Sequence, residues 1–252
     1  MSDDSLSSKS MLSATKSRAS FSSHGNAKGA AGFRDLSKCI EDCDFIEKSG
    51  DSLTISSPDN GFDDINIGCS WDNISHKVKA DGENIITRLF KRTRIINKGI
   101  DLDLGCLYEL FDGSRGALQA FGKRHGNYED SPYIFLSEDE KKGDKEGNDE
   151  YLRINGQKWN EIKRILVYAY IYDGVQDWAS VSPKIQLVVK NENPMVVTLD
   201  TYRDDLDICA IASIENIRNG IKLTNHTEYF HGHAEMDRAF GFGLDWDDGF
   251  KQ

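Results

Sequence analysis

At 252 residues the chain is long enough for one sizeable sandwich with a tail, or for two small domains. Its 42 acidic against 31 basic residues leave a net charge of −11, the wrong sign for neutralising phosphates, which argues against a nucleic-acid partner. The longest apolar run is eight residues, too short to span a bilayer as a helix, and the opening Met1 to Ser5 lacks a basic stretch leading into an apolar core, so a cytoplasmic location is expected.

Residues 1–50 are rich in Ser, Lys, Gly and Ala and poor in large apolar groups, which predicts a flexible tail ending in a short helix near 35–47. Cys39 and Cys43 are four apart in that stretch and could share a soft ion on a helix face. With no histidine or second cysteine pair close by, the simpler reading is a pair of free thiols. From 51 to 252 short strands alternate with turn signals, at 52–57, 64–70, 101–110, 115–121, 133–136, 150–155, 162–172, 184–190, 195–201, 207–217 and 220–229. Such density of strands predicts an all-β fold, a sandwich of two sheets. Cys69, Cys106 and Cys209 fall inside strand patterns, where a reduced thiol acts as a small core residue.

The zone 73–98 breaks the strand pattern as a basic insertion. Over 83–97 a helix would place Ile85, Ile86, Leu89, Phe90 and Ile96 on one side and Arg88, Lys91, Arg92 and Arg94 on the other. Residues 76–98 carry seven Lys or Arg against two acids in an otherwise acidic chain. Such a helix could receive an acidic partner or lie at an anionic membrane surface; alternatively its apolar face packs on the sandwich and its charges are solvated.

Next comes Gly99-Ile100-Asp101-Leu102-Asp103-Leu104-Gly105-Cys106, where two aspartates interrupt an apolar strand. At period 2, Asp101 and Asp103 share one face and Leu102 and Leu104 the other. Adjacent carboxylates repel, and the pair is tolerated cheaply only where water or a hard cation neutralises it, so the strand is a cation-site candidate or an exposed strand end. The stretch 137–150 holds seven carboxylates, three lysines, two glycines and one asparagine, with no apolar residue. Oxygen donors with glycine turns suit calcium better than zinc, although a solvated acidic loop has the same composition. Setting Gly143 as the loop glycine puts Lys142 and Asp149 at the wrong positions for an EF-hand. The run from Ile165 to Tyr172 reads as a strand buried on both faces, ending in Asp173 at a turn.

In this order, a strand with Asp101 and Asp103, a Gly/Asp/Glu loop over 138–150, and a strand closing on Tyr172-Asp173-Gly174, the chain resembles the TerD family of bacterial tellurium-resistance and stress-response proteins. The tract Ile65-Asn66-Ile67-Gly68-Cys69-Ser70-Trp71-Asp72 matches an early strand of that family, and 99–110, 152–156 and 228–241 match one branch of it. The resemblance implies a β-sandwich with calcium at one end and a binding or scaffolding role without established catalysis. Asp101, Asp103, Asp139, Asp144, Asp149, Glu150 and Asp173 are then expected to converge on Ca2+, because a divalent ion offsets so many gathered carboxylates. Lys141, Lys142, Lys145 and Asn148 depart from the family loop and imply weaker affinity or one site fewer.

The expected function is a calcium-binding, non-enzymatic scaffold in a tellurite-resistance or stress-response system, with other proteins of that system as partners. The alternative is a divalent-metal hydrolase using the same carboxylates. No nucleophile elbow, P-loop or His-Glu-x-x-His is present, and no base or nucleophile is placed by motif beside the acidic cluster. Near the C-terminus, His231 and His233 at i, i+2 on an extended segment would point the same way and could hold zinc with Glu235 or Asp237, but a fourth ligand is missing and hydrogen-bonding histidines are the simpler reading. The closing 246–249 is expected to fray.

Overall fold

The computed structural model describes residues 33, 42–71, 75–79, 95–119, 124–137, 150–173 and 176–246. Two sheets pack face to face, as the alternation of short strands and turns requires. The first runs in the spatial order β1 (Asp44–Ile46), β13 (Met195–Thr198), β12 (Lys184–Val189), β3 (Asp64–Ser70), β10 (Glu150–Asn155), β9 (Ile134–Leu136) and β8 (Gly126–Asn127). The second runs β2 (Ser52–Ile55), β15 (Gly220–Phe230), β14 (Ile208–Ile217), β11 (Ile162–Asp173), β6 (Asp101–Leu110) and β7 (Arg115–Gln119). The all-β two-sheet sandwich is therefore the observed architecture.

Period 2 decides what each strand buries. Ile65, Ile67, Leu152, Ile154, Ile185 and Leu187 from the first sheet meet Leu102, Leu104, Ile165, Val167 and Ile214 from the second, all at most 1% exposed. The opposite face of the second sheet is covered as well. A C-terminal helix, His233–Phe240, and the segment after it lay Met236 and Phe242 over Leu107, Leu166, Tyr168, Ile208 and Phe230. This second layer explains why Ile165 to Ala169 reads as an unbroken apolar run: alternate residues serve two different cores. Tyr168 lies across its β6 partner Gly105, and Tyr108 across its β7 partner Gly116, so closely that a Cβ on either glycine would come to 2.4 Å from the tyrosine side chain.

Glu109 ties the two layers together. Its carboxylate, 3% exposed, accepts from Lys163 Nζ at 2.8 Å, Arg164 Nε at 2.6 Å and Arg115 Nη2 at 3.1 Å. Arg164 also donates to the carbonyls of Phe240 and Gly241, and Arg115 to that of Phe242, so the same cations hold the end of the C-terminal helix. Burial pushes the Glu109 pKa up, but the hydrogen bonds from Lys163, Arg164 and Arg115 outweigh it and bring it down to about 2. A depressed folded-state pKa stabilises above the unfolded value near 4.5 and ceases to do so as pH falls towards 2. Because the three cations are partly in water, Glu109→Gln should cost only about 2 kcal/mol at pH 7. In urea unfolding the gap between wild type and variant should close between pH 4.5 and pH 2; an unchanging gap would show that packing, not charge, sets the effect.

Three local expectations are corrected. Asp44–Ile46 is a strand, paired in parallel with Met195 to Val197, where a short helix was expected over 35–47; Ile46 is 2% exposed and gains more by plugging the core than a four-residue cysteine spacing gains from a helix. Cys39 lies outside the described residues. The helix expected over 83–97 does not reach its end, because Ile95–Gly99 (β5) pairs antiparallel with Ser75–Lys79 (β4), setting Ile96 opposite Val78. Consecutive β-branched residues favour that ladder over a helix. Arg88, Lys91, Arg92 and Arg94 lie outside the described residues.

The third correction is at the C-terminus. His231 sits at a bend and His233 opens a helix, so the two do not alternate on an extended strand. Glu235 accepts from the His231 backbone N–H at 3.0 Å. Asp237, 2% exposed, accepts from Gly243 N and Leu244 N at 2.7 Å and from Trp246 Nε1 at 2.9 Å. Both carboxylates of the candidate zinc set thus take hydrogen bonds from the segments flanking the C-terminal helix, and Trp246 is anchored to that helix through Asp237.

Candidate metal centre

The candidate site begins at the start of β6. Leu102 and Leu104 are fully buried between the sheets, which turns Asp101 and Asp103 to the other face. Among the described residues, β7 pairs with β6 from Gly105 to Glu109, and Asp101 to Leu104 lie beyond that stretch. There Glu150, the first residue of β10 in the other sheet, supplies a partner: its Oε2 accepts from the Leu104 backbone N–H at 2.5 Å. Such a charge-assisted bond contributes about 1.5–3 kcal/mol and fixes the carboxylate at the peptide that joins Asp103 to Leu104.

Asp103 is 6% exposed and Glu150 2%. Across β6, Tyr170 of β11 is the register partner of Asp103. Burial, then the charge of Asp103 and a hydrogen bond to its carboxylate, hold the Tyr170 phenol well above its ordinary pKa, so it stays a donor. Further along β11 the register skips at Tyr172, and the skip sets Asp173 opposite Asp101. The fold thus brings Asp101, Asp103, Glu150 and the backbone of Asp173 to one end of the sandwich. Asp139, Asp144 and Asp149 lie outside the described residues. Among the described residues, no group of three or more His, Cys, Asp or Glu forms a ready metal cluster. The donors present are carboxylate oxygens, which fit a hard cation such as calcium rather than zinc.

Tyr170 was not singled out from the sequence. Its signal is the alternation with Tyr168 on one face, legible only once the β6 to β11 register is known. Its ring also leads away from the carboxylates: Tyr168 and Tyr170 meet His233 edge-on at 5.2 and 5.4 Å, and Trp246 stacks on His233 at 5.0 Å. Burial lowers the His233 pKa to about 4, so this imidazole is neutral at pH 7 and packs as an aromatic. Cys43, Cys69, Cys106 and Cys209 form no disulfide, and burial pushes the Cys106 thiol up to about 12.

No protein-family model matches the chain. It is, however, 34% identical over 206 residues to the tellurium resistance protein TerA of Alcaligenes sp, an alignment covering 82% of this chain and 58% of that relative. The chain belongs to the TerA-like tellurium-resistance family. This TerA-like chain spans less than two thirds of the relative's length. Among the described residues, no helix is long and apolar enough to cross a membrane.

Proposed function

We propose that this TerA-like chain is a calcium-binding, non-catalytic module that serves tellurium resistance by assembling with other proteins of that system. The supporting observation is that two almost fully buried carboxylates from different sheets, Asp103 and Glu150, come to the start of β6, Glu150 on the N–H of the residue that follows Asp103. Taking two like charges from water is costly; the Leu104 N–H and Tyr170 O–H are among the groups that offset it, and a divalent cation would offset it further. Asp101 shares a face of β6 with Asp103 and is in register with Asp173, and Asp149 directly precedes Glu150 in sequence, with Asp139 and Asp144 in the same acidic stretch. Bound there, calcium would link β6 and β11 of one sheet to β10 of the other. The basic residues Arg88, Lys91, Arg92 and Arg94 are the proposed docking surface for an acidic partner or an anionic membrane face. The name of the relative supports the tellurium-resistance part of this reading.

Thermal unfolding of the full chain tests the ion. Calcium at about 100 times its dissociation constant should stabilise by about 2.7 kcal/mol and raise Tm by several degrees. Asp103→Asn, which keeps an acceptor for Tyr170 but removes a charge, should abolish most of that rise. An unchanged Tm in millimolar calcium would overturn the reading.

A further inference from the structure

The opposite end of β3 carries a second site. β3 pairs with β10 from Cys69 opposite Glu150 to Asp64 opposite Asn155, five residues or roughly 17 Å along the strand from the carboxylate centre. Because Ile65 and Ile67 point into the core, Asp64 and Asn66 face outwards, and there they line a cavity of about 490 Å3. Its size is that of a small-molecule site. Asn66 is only 7% exposed, yet its Oδ1 has no hydrogen-bond partner. A buried amide oxygen left unpaired costs about 1–3 kcal/mol, which a group donating into the cavity would recover.

The walls restrict what that group can be. Asp64 accepts from Arg153 Nε and Nη2 at 3.1 and 2.8 Å and from the Tyr128 hydroxyl, and Arg153 lies 4.2 Å over the Tyr128 ring, so this side is a rigid, charge-balanced block. On the other side Asp63 is paired with Lys190 at 2.6 Å. Two carboxylates matched by two cations leave no net charge for an ion to seek. A hydrocarbon would leave Asn66 unpaired, and an anion would meet both aspartates. Each carboxylate retains further lone pairs, and Val188 adds an apolar surface on the same lining.

We infer that this cavity binds a small neutral polyhydroxylated ligand, of the monosaccharide or polyol class, with one hydroxyl donating to Asn66 Oδ1. Hydroxyls can donate to the fixed acceptors while the C–H face of such a ligand covers Val188. This site stands independently of calcium binding at the other end of the sandwich.

The test is an NMR titration of the labelled full chain, kept in chelator so that calcium plays no part, with D-glucose, D-galactose, D-ribose and glycerol up to tens of millimolar. At least one probe should give saturable shifts of the Asn66 side-chain amide and the Val188 methyls. Asn66→Val, a good strand residue without the acceptor, should weaken that binding at least about tenfold. Should this variant fail to fold, Val188→Phe, at a half-buried outward position, should fill the cavity and abolish the shifts. Shifts that stay linear for every probe, or saturable shifts that survive both substitutions, would overturn the inference and leave a cavity that holds water only.

Discussion

Changing Asn225 to aspartate should cost the fold about 3 kcal/mol or more at pH 7, and part of that cost should fade as pH drops towards 4. Asn225 is fully buried on β15 of the second sheet. Its Nδ2 donates to the carbonyl of Ile46 on β1 at 3.0 Å and to that of Thr198 on β13 at 2.9 Å, so one amide pins the two sheets together. Thr227 Oγ1 donates to its Oδ1 at 2.7 Å, which fixes the amide's orientation. Aspartate has the same shape but turns a carboxylate oxygen towards two carbonyl oxygens. Burial and that repulsion raise the folded-state pKa of the new group above its unfolded value near 3.9. A raised pKa means that the folded variant holds a proton that the unfolded chain has released. The charge part of the penalty is therefore absent below about pH 4 and grows as pH rises through the folded value, while the single O–H of the neutral acid still leaves one of the two carbonyls without its donor. Urea unfolding at a series of pH values reads this directly; a variant as stable as wild type at pH 7 would show that the amide is not a pin.

Gly156→Ala should be at least as damaging, by about 3 kcal/mol or more at any pH. Gly156 begins the 3-10 turn Gly156–Glu161 that carries the chain from β10 in one sheet to β11 in the other. A Cβ there would sit 1.6 Å from the carbonyl oxygen of Asp63 and 2.7 Å from that of Phe62. Both obstacles are backbone, so no side-chain rotation relieves them. Phe62 is 1% exposed, and the Gln157 side chain already donates to its carbonyl at 2.7 Å, which holds the obstructing segment in place. Thermal unfolding would show a fall of many degrees, whereas a Tm within a degree or two of wild type would mean that the 62–64 backbone yields easily.

Most strands were legible because their signal is local. β3, β6 and β10 begin and end where alternation and turn residues predict, since each has one face in the main core and period 2 is written into Ile65 and Ile67, Leu102 and Leu104, Leu152 and Ile154. The elements that were not legible draw their stability from elsewhere. β1 is three residues long and exists because β13 offers an open edge and the core a socket for Ile46. The helix His233–Phe240 has a modest apolar stripe of its own, and it is held by Arg164 on its last carbonyls and by Met236 in the second core.

The candidate site divides in the same way. Composition and spacing single out Asp101, Asp103 and the acidic stretch 137–150, because repelling carboxylates beside apolar strand residues are anomalous at the level of local chemistry, whereas Asp173 reads locally as a turn residue and joins them only through the family resemblance. That Glu150 of one sheet reaches the Leu104 N–H of the other, that Tyr170 donates to Asp103, and that Asp173 comes into register with Asp101 were decided only by tertiary structure. The physical reason is that these contacts join residues dozens of positions apart, and their pairing depends on strand register and the skip at Tyr172, neither of which is encoded in the spacing of the site residues themselves.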